Sequence, residues 1–217
     1  LTNFYPWLVD SGRDDPDRVF TVVDHIDGAP AIRVSGQHWG SLTTSQEYAN
    51  YRLVMEFRWG LLTWANRKFA VRDSGILVHG EGRDGNSRPD FKGPWMRSIE
   101  CQVGEGIVGD FIAVGGYDDA GRRIAPHITV KVRREGKELF YDPAGTPMQV
   151  GRAAWSGRDP QWKDVLGFRG RNDAESPDGQ WTRLEIVCEG DNITHIVNGK
   201  VVNAGVGASL TKGKILI

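Results

Sequence analysis

Ser98-Ile99-Glu100-Cys101-Gln102-Val103 alternates without a break. Successive side chains of an extended chain point to opposite faces, so Ile99, Cys101 and Val103 fall on one side and Ser98, Glu100 and Gln102 on the other. The apolar side predicts a half-buried strand. The polar side carries a carboxyl and an amide on one surface. Residues 51–59 repeat the pattern, with Tyr51, Leu53, Met55, Phe57 and Trp59 opposed to Arg52, Val54, Glu56 and Arg58. A helix would need apolar spacing near 3.6, and these charges would cut its stripe.

Short apolar runs at residues 20–23, 31–34, 39–44, 74–79, 110–114, 127–132, 139–141, 181–188, 192–197, 200–202 and 214–217 read as further strands. Asn198-Gly199 favours a two-residue type I′ hairpin, because both turn positions tolerate positive φ. Residues 1–18 read as an irregular arm tied down by Phe4, Tyr5 and Trp7, and residues 151–179 as a long surface excursion. Many short strands and Gly-rich turns, with no long helix and no repeat, predict a single all-β domain over residues 1–217. Its expected form is a jelly-roll sandwich of two antiparallel sheets. The chain stops inside its last apolar run, which reads as a sandwich lacking a short C-terminal piece.

A chain of 217 residues suits one such domain. Lys and Arg total 27 against 28 Asp and Glu, for a net charge of -1. That balance creates no long-range field to gather nucleic acid or an anionic membrane. No apolar run reaches the length of a membrane span. A neutral partner such as a carbohydrate fits, and the eight Trp point the same way, since indoles stack on the apolar faces of sugar rings. Cys101 and Cys188 sit in alternating apolar segments and read as two buried thiols or one buried bridge. The start at Leu1 reads as a chain separated from an upstream export signal.

Several chemistries lack their motifs. There is no His-Glu-x-x-His helix, no phosphate-cradling Gly-rich loop and no Gly-x-Ser-x-Gly elbow. Asp14-Asp15-Pro16-Asp17 and Tyr117-Asp118-Asp119 miss the ligand spacing of a helical calcium loop. The metal set is therefore unknown, no cofactor is certain, and a divalent cation stays open. Glu100 and Gln102 share a face, as do Glu56 and Arg58. His79 ends an apolar run just before the polar loop at residues 80–93, while Trp95 and Arg97 follow it. If these strands belong to one sheet, the side chains line one concave face. The plain alternative is a solvated surface, and His195, in phase with Ile193 and Val197, has the pattern of a core residue.

Arg72-Asp73-Ser74-Gly75-Ile76-Leu77, Trp95-Met96-Arg97-Ser98-Ile99-Glu100-Cys101-Gln102, Gly109-Asp110 and Thr194-His195-Ile196-Val197-Asn198-Gly199 together resemble the 3-keto-disaccharide hydrolase family. This family was long a domain of unknown function, common in secreted and periplasmic proteins of Bacteroidetes. The resemblance covers nearly the whole chain. It implies a concanavalin A-like jelly roll, a carbohydrate substrate and a secreted or periplasmic location. It also implies cleavage of glycosides oxidised to a ketone at carbon 3. It places Glu100, Gln102 and His79 at or beside the site, with Asp73, Arg97 and His195 as further members. Ser176-Pro177-Asp178-Gly179-Gln180-Trp181 departs from the family's usual Lys-Pro-x-Gly-Glu-Trp, which bears on substrate choice.

A ketone at carbon 3 acidifies the proton on carbon 2, so the aglycone can leave by elimination and water can then add. This needs a base, a stabiliser of oxyanion charge and a proton source. The expected roles are His79 or Glu100 as base, Arg97 or a divalent cation at the enolate, and the remaining group or His195 as acid. Gln102, Glu56, Arg58, Asp73, His195 and Trp95 are expected to hold substrate. The alternative is a non-catalytic carbohydrate-binding module on the same fold. An ordinary glycosidase is disfavoured, because Gln102 stands where a second carboxylate would be needed.

Overall fold

The computed structural model describes all residues 1–217. In chain order its strands are β1 (Phe4–Leu8), β2 (Phe20–Ile26), β3 (Ala29–Val34), β4 (Gly40–Thr44), β5 (Tyr51–Phe57), β6 (Asp73–Glu81), β7 (Arg97–Gly104), β8 (Phe111–Val114) and β9 (Gly116–Tyr117). There follow β10 (Arg123–Ile124), β11 (Ile128–Glu135), β12 (Glu138–Tyr141), β13 (Thr146–Val150), β14 (Arg152–Ala153), β15 (Thr182–Glu189), β16 (Asn192–Val197), β17 (Lys200–Val206) and β18 (Lys214–Leu216). A single turn of 3-10 helix spans Ala65–Arg67. No helix is long and apolar enough to cross a membrane.

One sheet runs β1-β4-β18-β6-β7-β8-β14 and the other β12-β11-β17-β16-β15-β5, with β13 also on β11. Their main ladders are antiparallel. Between the sheets, Ile76, Val78, Ile99, Cys101, Val103 and Phe111 meet Ile128, Val130, Leu184, Ile186, Cys188 and Ile193. This is the expected all-β jelly-roll sandwich. The alternating strands form because each offers one apolar face to this core. Cys101 and Cys188 are buried free thiols, not a bridge. The Asn198-Gly199 turn has φ of 48° and 79° at its two positions and sets Val197 opposite Lys200.

Residues 4–8 differ from the irregular arm expected of them: they form β1, paired along its length with β4. The last apolar run, β18, lies inside the first sheet between β4 and β6. Gly75, Leu77, Ser98, Glu100 and Gln102 alternate with the core residues of β6 and β7, so they face away from the second sheet. The loop between these strands folds back over part of that outward face. Trp7 Nε1 donates to Gly93 O at 2.8 Å and Tyr5 Oη to Asp84 Oδ1 at 2.7 Å, fastening the loop to β1.

The long excursion after β14 is pinned by two buried carboxylates. Glu175 accepts from Trp59 Nε1 at 2.8 Å and from Gly106 N at 3.0 Å. Glu105 accepts from Arg72 N at 2.9 Å and Gly167 N at 3.1 Å. Backbone amides that strand pairing does not use thus find fixed acceptors.

Candidate functional site

The outward face of β6 and β7 holds the site. Glu100 lies opposite Leu77, and Gln102 opposite Gly75. The Glu100 side chain leans across Gly75: a Cβ there would sit 2.0 Å from Glu100 Oε1. Only glycine leaves that room. Asp73 opens β6 beside it. The Gln102 amide bridges the strands, donating to the Asp73 carboxylate and, at 3.0 Å, to Ser74 O.

Two guanidinium groups flank these carboxyls. Arg152 on β14 is anchored by Asp110 Oδ2 at 3.1 Å. Asp110 is buried and held by Trp155 N at 2.8 Å and Arg158 Nη1 at 2.9 Å. Arg67, from the 3-10 turn, lies 3.6 Å from Asp73 Oδ2 and is steadied by a fork to Asp164 at 2.7 and 3.0 Å.

Glu100 is only 6% exposed, and no protein group hydrogen-bonds its carboxyl. Burial, and next the nearby Asp73 charge, push its pKa up to about 8, against the pull of Arg152. It therefore keeps its proton at neutral pH. Asp73 is raised by burial and by Asp164, but Arg67, Arg152 and the Gln102 amide oppose this. Its side chain is 27% exposed. Two carboxyls whose burial raises their proton affinity, Asp73 the more open of the two, thus share one wall with a fixed cation. Two carboxyls held side by side next to a guanidinium group suit paired proton donation and acceptance.

The structure brings Glu100, Gln102 and Asp73 together and separates the other expected members from them. His79 is fully buried inside the sandwich: its Nδ1 donates to Leu210 O at 2.9 Å and its ring meets Tyr51 edge-on at 5.7 Å. The cause is a register break between Val78 and Glu81, with His79 at φ 56°, which turns its side chain inward. His195 is also sealed in the core, donating from Nδ1 to Gly109 O at 3.0 Å with its ring 4.0 Å from Phe111. Burial lowers its pKa to about 4, so the ring is neutral. Burial also lowers that of His79.

Glu56, on β5, and Arg58, just past its end, alternate with the core-facing Tyr51, Leu53, Met55 and Phe57 and so face outward from the other sheet. Arg58 pairs there with Asp27 at 2.7 Å and covers Trp181 at 4.8 Å. Arg97 pairs with Glu81 at the loop end of β7, roughly 10 Å along the strand from Glu100. Trp95 packs over Leu77, Met96 and Leu216 on the outward face and stacks on Trp39. Arg152, Arg67 and Asp164 carried no signal in the sequence pattern; Asp110 lay within a resembling run, but without a role. No three His, Cys, Asp or Glu side chains gather as a metal-holding set. The positive charges nearest Glu100 and Asp73 are the guanidinium groups of Arg152 and Arg67.

No curated protein matches the chain. Among solved structures, two candidate glycosyl hydrolases from Parabacteroides distasonis are similar. One has a TM-score of 0.45 at 16% identity, covering 94% of this chain and 83% of that one. The other has a TM-score of 0.45 at 14% identity, with 99% and 81% covered. The carbohydrate-binding module CBM66 from Bacillus subtilis gives 0.42 at 10% identity, with 91% and 81% covered. The family model described as a 3-keto-alpha-glucoside-1,2-lyase-like domain matches residues 7–217, from β1 through β18, and the chain belongs to that family.

Proposed function

We propose that this protein cleaves 3-keto-glucosides by elimination across carbons 1 and 2, with Asp73 as base, Glu100 as acid and Arg152 stabilising the enolate. Family membership makes it an enzyme of 3-keto glycosides. The observation that supports these roles is the buried Glu100 carboxyl, which titrates at about 8 beside Asp73 and Arg152 on the outward side of β6 and β7. In this reading Asp73 removes the proton from carbon 2, and the electron pair moves onto the ketone oxygen, facing Arg152. The pair then returns to form the carbon 1–carbon 2 double bond as the glycosidic bond breaks. Glu100 gives its proton to the departing oxygen. Addition of water to the enone completes net hydrolysis. Gln102 keeps Asp73 aimed by donating to it. A secreted or periplasmic location belongs to the same proposal.

The test is product analysis with 3-keto-glucosides beside their unoxidised parents, together with deuterium at carbon 2. Turnover of the keto substrates alone, with a primary isotope effect, is expected. Equal turnover of unoxidised glycosides, or no isotope effect in a single-turnover measurement, would overturn the elimination route.

A further inference from the structure

The outward face carries a second feature that the catalytic roles leave unused. Trp39 and Trp95 stack with ring centroids 5.8 Å apart and planes within 9°. Trp95 is backed by the Leu77, Met96 and Leu216 cluster. Trp39 lies on top, 48% exposed, with one face on Trp95. The strand registers place this stack relative to the acids. Thr43 lies opposite Leu216, and Leu216 opposite Leu77. Because β4 and β6 both pair antiparallel with β18, they run in the same direction. Trp39 precedes Thr43 by as many residues as Asp73 precedes Leu77, so Trp39 comes level with Asp73. Two strand spacings separate them, roughly 10 Å, within reach of a disaccharide whose reacting ring sits at Asp73 and Glu100. Trp39 also has the strand phase of Ser41 and Thr43, the phase of the outward face.

An exposed indole fixed flat against a second indole is a rigid apolar plane, and the axial C–H face of a pyranose ring matches it. Small or charged aglycones would gain nothing from it. We propose that Trp39 is the specificity-determining platform on which the pyranose ring of the leaving group stacks. This rests on the proposed elimination site, and the experiment separates the two.

The ratio of kcat/KM for a 3-keto-disaccharide to that for methyl 3-keto-glucoside is measured for the wild type, Trp39→Ala and Trp39→Phe, with circular dichroism to verify folding. Trp39→Ala should lower the ratio about tenfold, the scale of one lost stacking contact, with the change in KM. Trp39→Phe should recover most of it. Tryptophan fluorescence during titration with the 3-keto-disaccharide gives a readout independent of turnover, and Trp39→Ala should weaken the measured binding. An unchanged ratio with unchanged binding overturns the platform. Sugar binding that depends on Trp39 without turnover of any 3-keto-glucoside keeps the platform and overturns the elimination site. Absence of both binding and turnover overturns both.

Discussion

Replacing Glu100 by Gln keeps the shape of the side chain and removes its acidic proton, so stability and chemistry should move in opposite directions. In the fold this carboxyl titrates at about 8, against an ordinary value of 4.5. Between those values the unfolded chain has lost a proton that the folded chain still holds. Wild-type stability contributed by this group is therefore complete below about pH 4.5, falls as pH rises, and levels off above about pH 8. At 1.36 kcal/mol for each tenfold change in proton affinity, the complete penalty is about 5 kcal/mol, and relaxation around the site brings the expected figure to about 3–5 kcal/mol. Glu100→Gln carries no such penalty. Urea denaturation at a series of pH values should give matching unfolding free energies near pH 4 and a more stable variant at pH 8.5. Turnover should fall by about 10²–10⁴, the contribution of a positioned acid. A variant no more stable than wild type at pH 8.5 would refute the raised pKa, and a folded variant with wild-type turnover would refute the acid role.

Gly75→Ala would place a Cβ 2.0 Å from Glu100 Oε1 and 2.9 Å from Cδ, where ordinary contact begins near 3.4 Å. The carboxyl must shift by more than about 1 Å, a displacement that costs about 100-fold in rate; unchanged kcat in a folded variant would show that Glu100 does not act from this position. Arg152→Ala should lower kcat about 10²–10³-fold with a smaller change in KM, and Arg152→Lys should recover part of it; a pure KM effect would assign Arg152 to binding instead. His195 titrates at about 4 in the fold, against 6.5 ordinarily, so its contribution is intact above pH 6.5 and lost as pH falls toward 4. That loss is about 3 kcal/mol and should be missing from the pH-stability curve of His195→Leu; the same acid slope in both proteins would show that the ring is not buried neutral.

The alternation at residues 98–103 correctly separated core from outward side chains, because a strand's period of two is local. The same reasoning could not tell that Glu56 and Arg58, with an identical pattern, lie on the other sheet. Periodicity assigns a face, whereas the partner sheet is chosen by long-range pairing. His79 shows the other limit: its strand reads as regular, yet one bulge at φ 56° reverses its direction. Residues 4–8 hid their strand character because Phe4, Tyr5, Pro6 and Trp7 do not alternate, and β1 is held from only one side, by β4. Arg152, Arg67 and Asp164 come from short or irregular segments, and only tertiary packing brings them to Glu100.

Burial alone would not have picked Glu100 out, since Glu105, Asp110, Glu175 and Glu185 are also buried. What separates them is how each carboxyl is satisfied. Glu105 Oε2 takes two backbone amides, at 2.9 and 3.1 Å, with Arg72 Nη1 at 3.3 Å from Oε1. Asp110 has a backbone amide and two guanidinium groups, Glu175 an indole and an amide, and Glu185 two arginines. Each of these carboxyls has donors that are always present in the fold, even where burial raises its pKa, as at Asp110 and Glu175. Glu100 has none, so its burial is a cost to the fold, which points to a partner arriving from outside. The two kinds of carboxyl should answer the same substitution with opposite signs. Glu105→Gln sets an NH2 group against backbone donors and should destabilise the protein by about 2–4 kcal/mol. Glu100→Gln should stabilise it at the same alkaline pH. Paired urea titrations of the two variants decide the matter: a shift of both in the same direction would mean that the missing hydrogen bonds at Glu100 do not mark it as the reacting group.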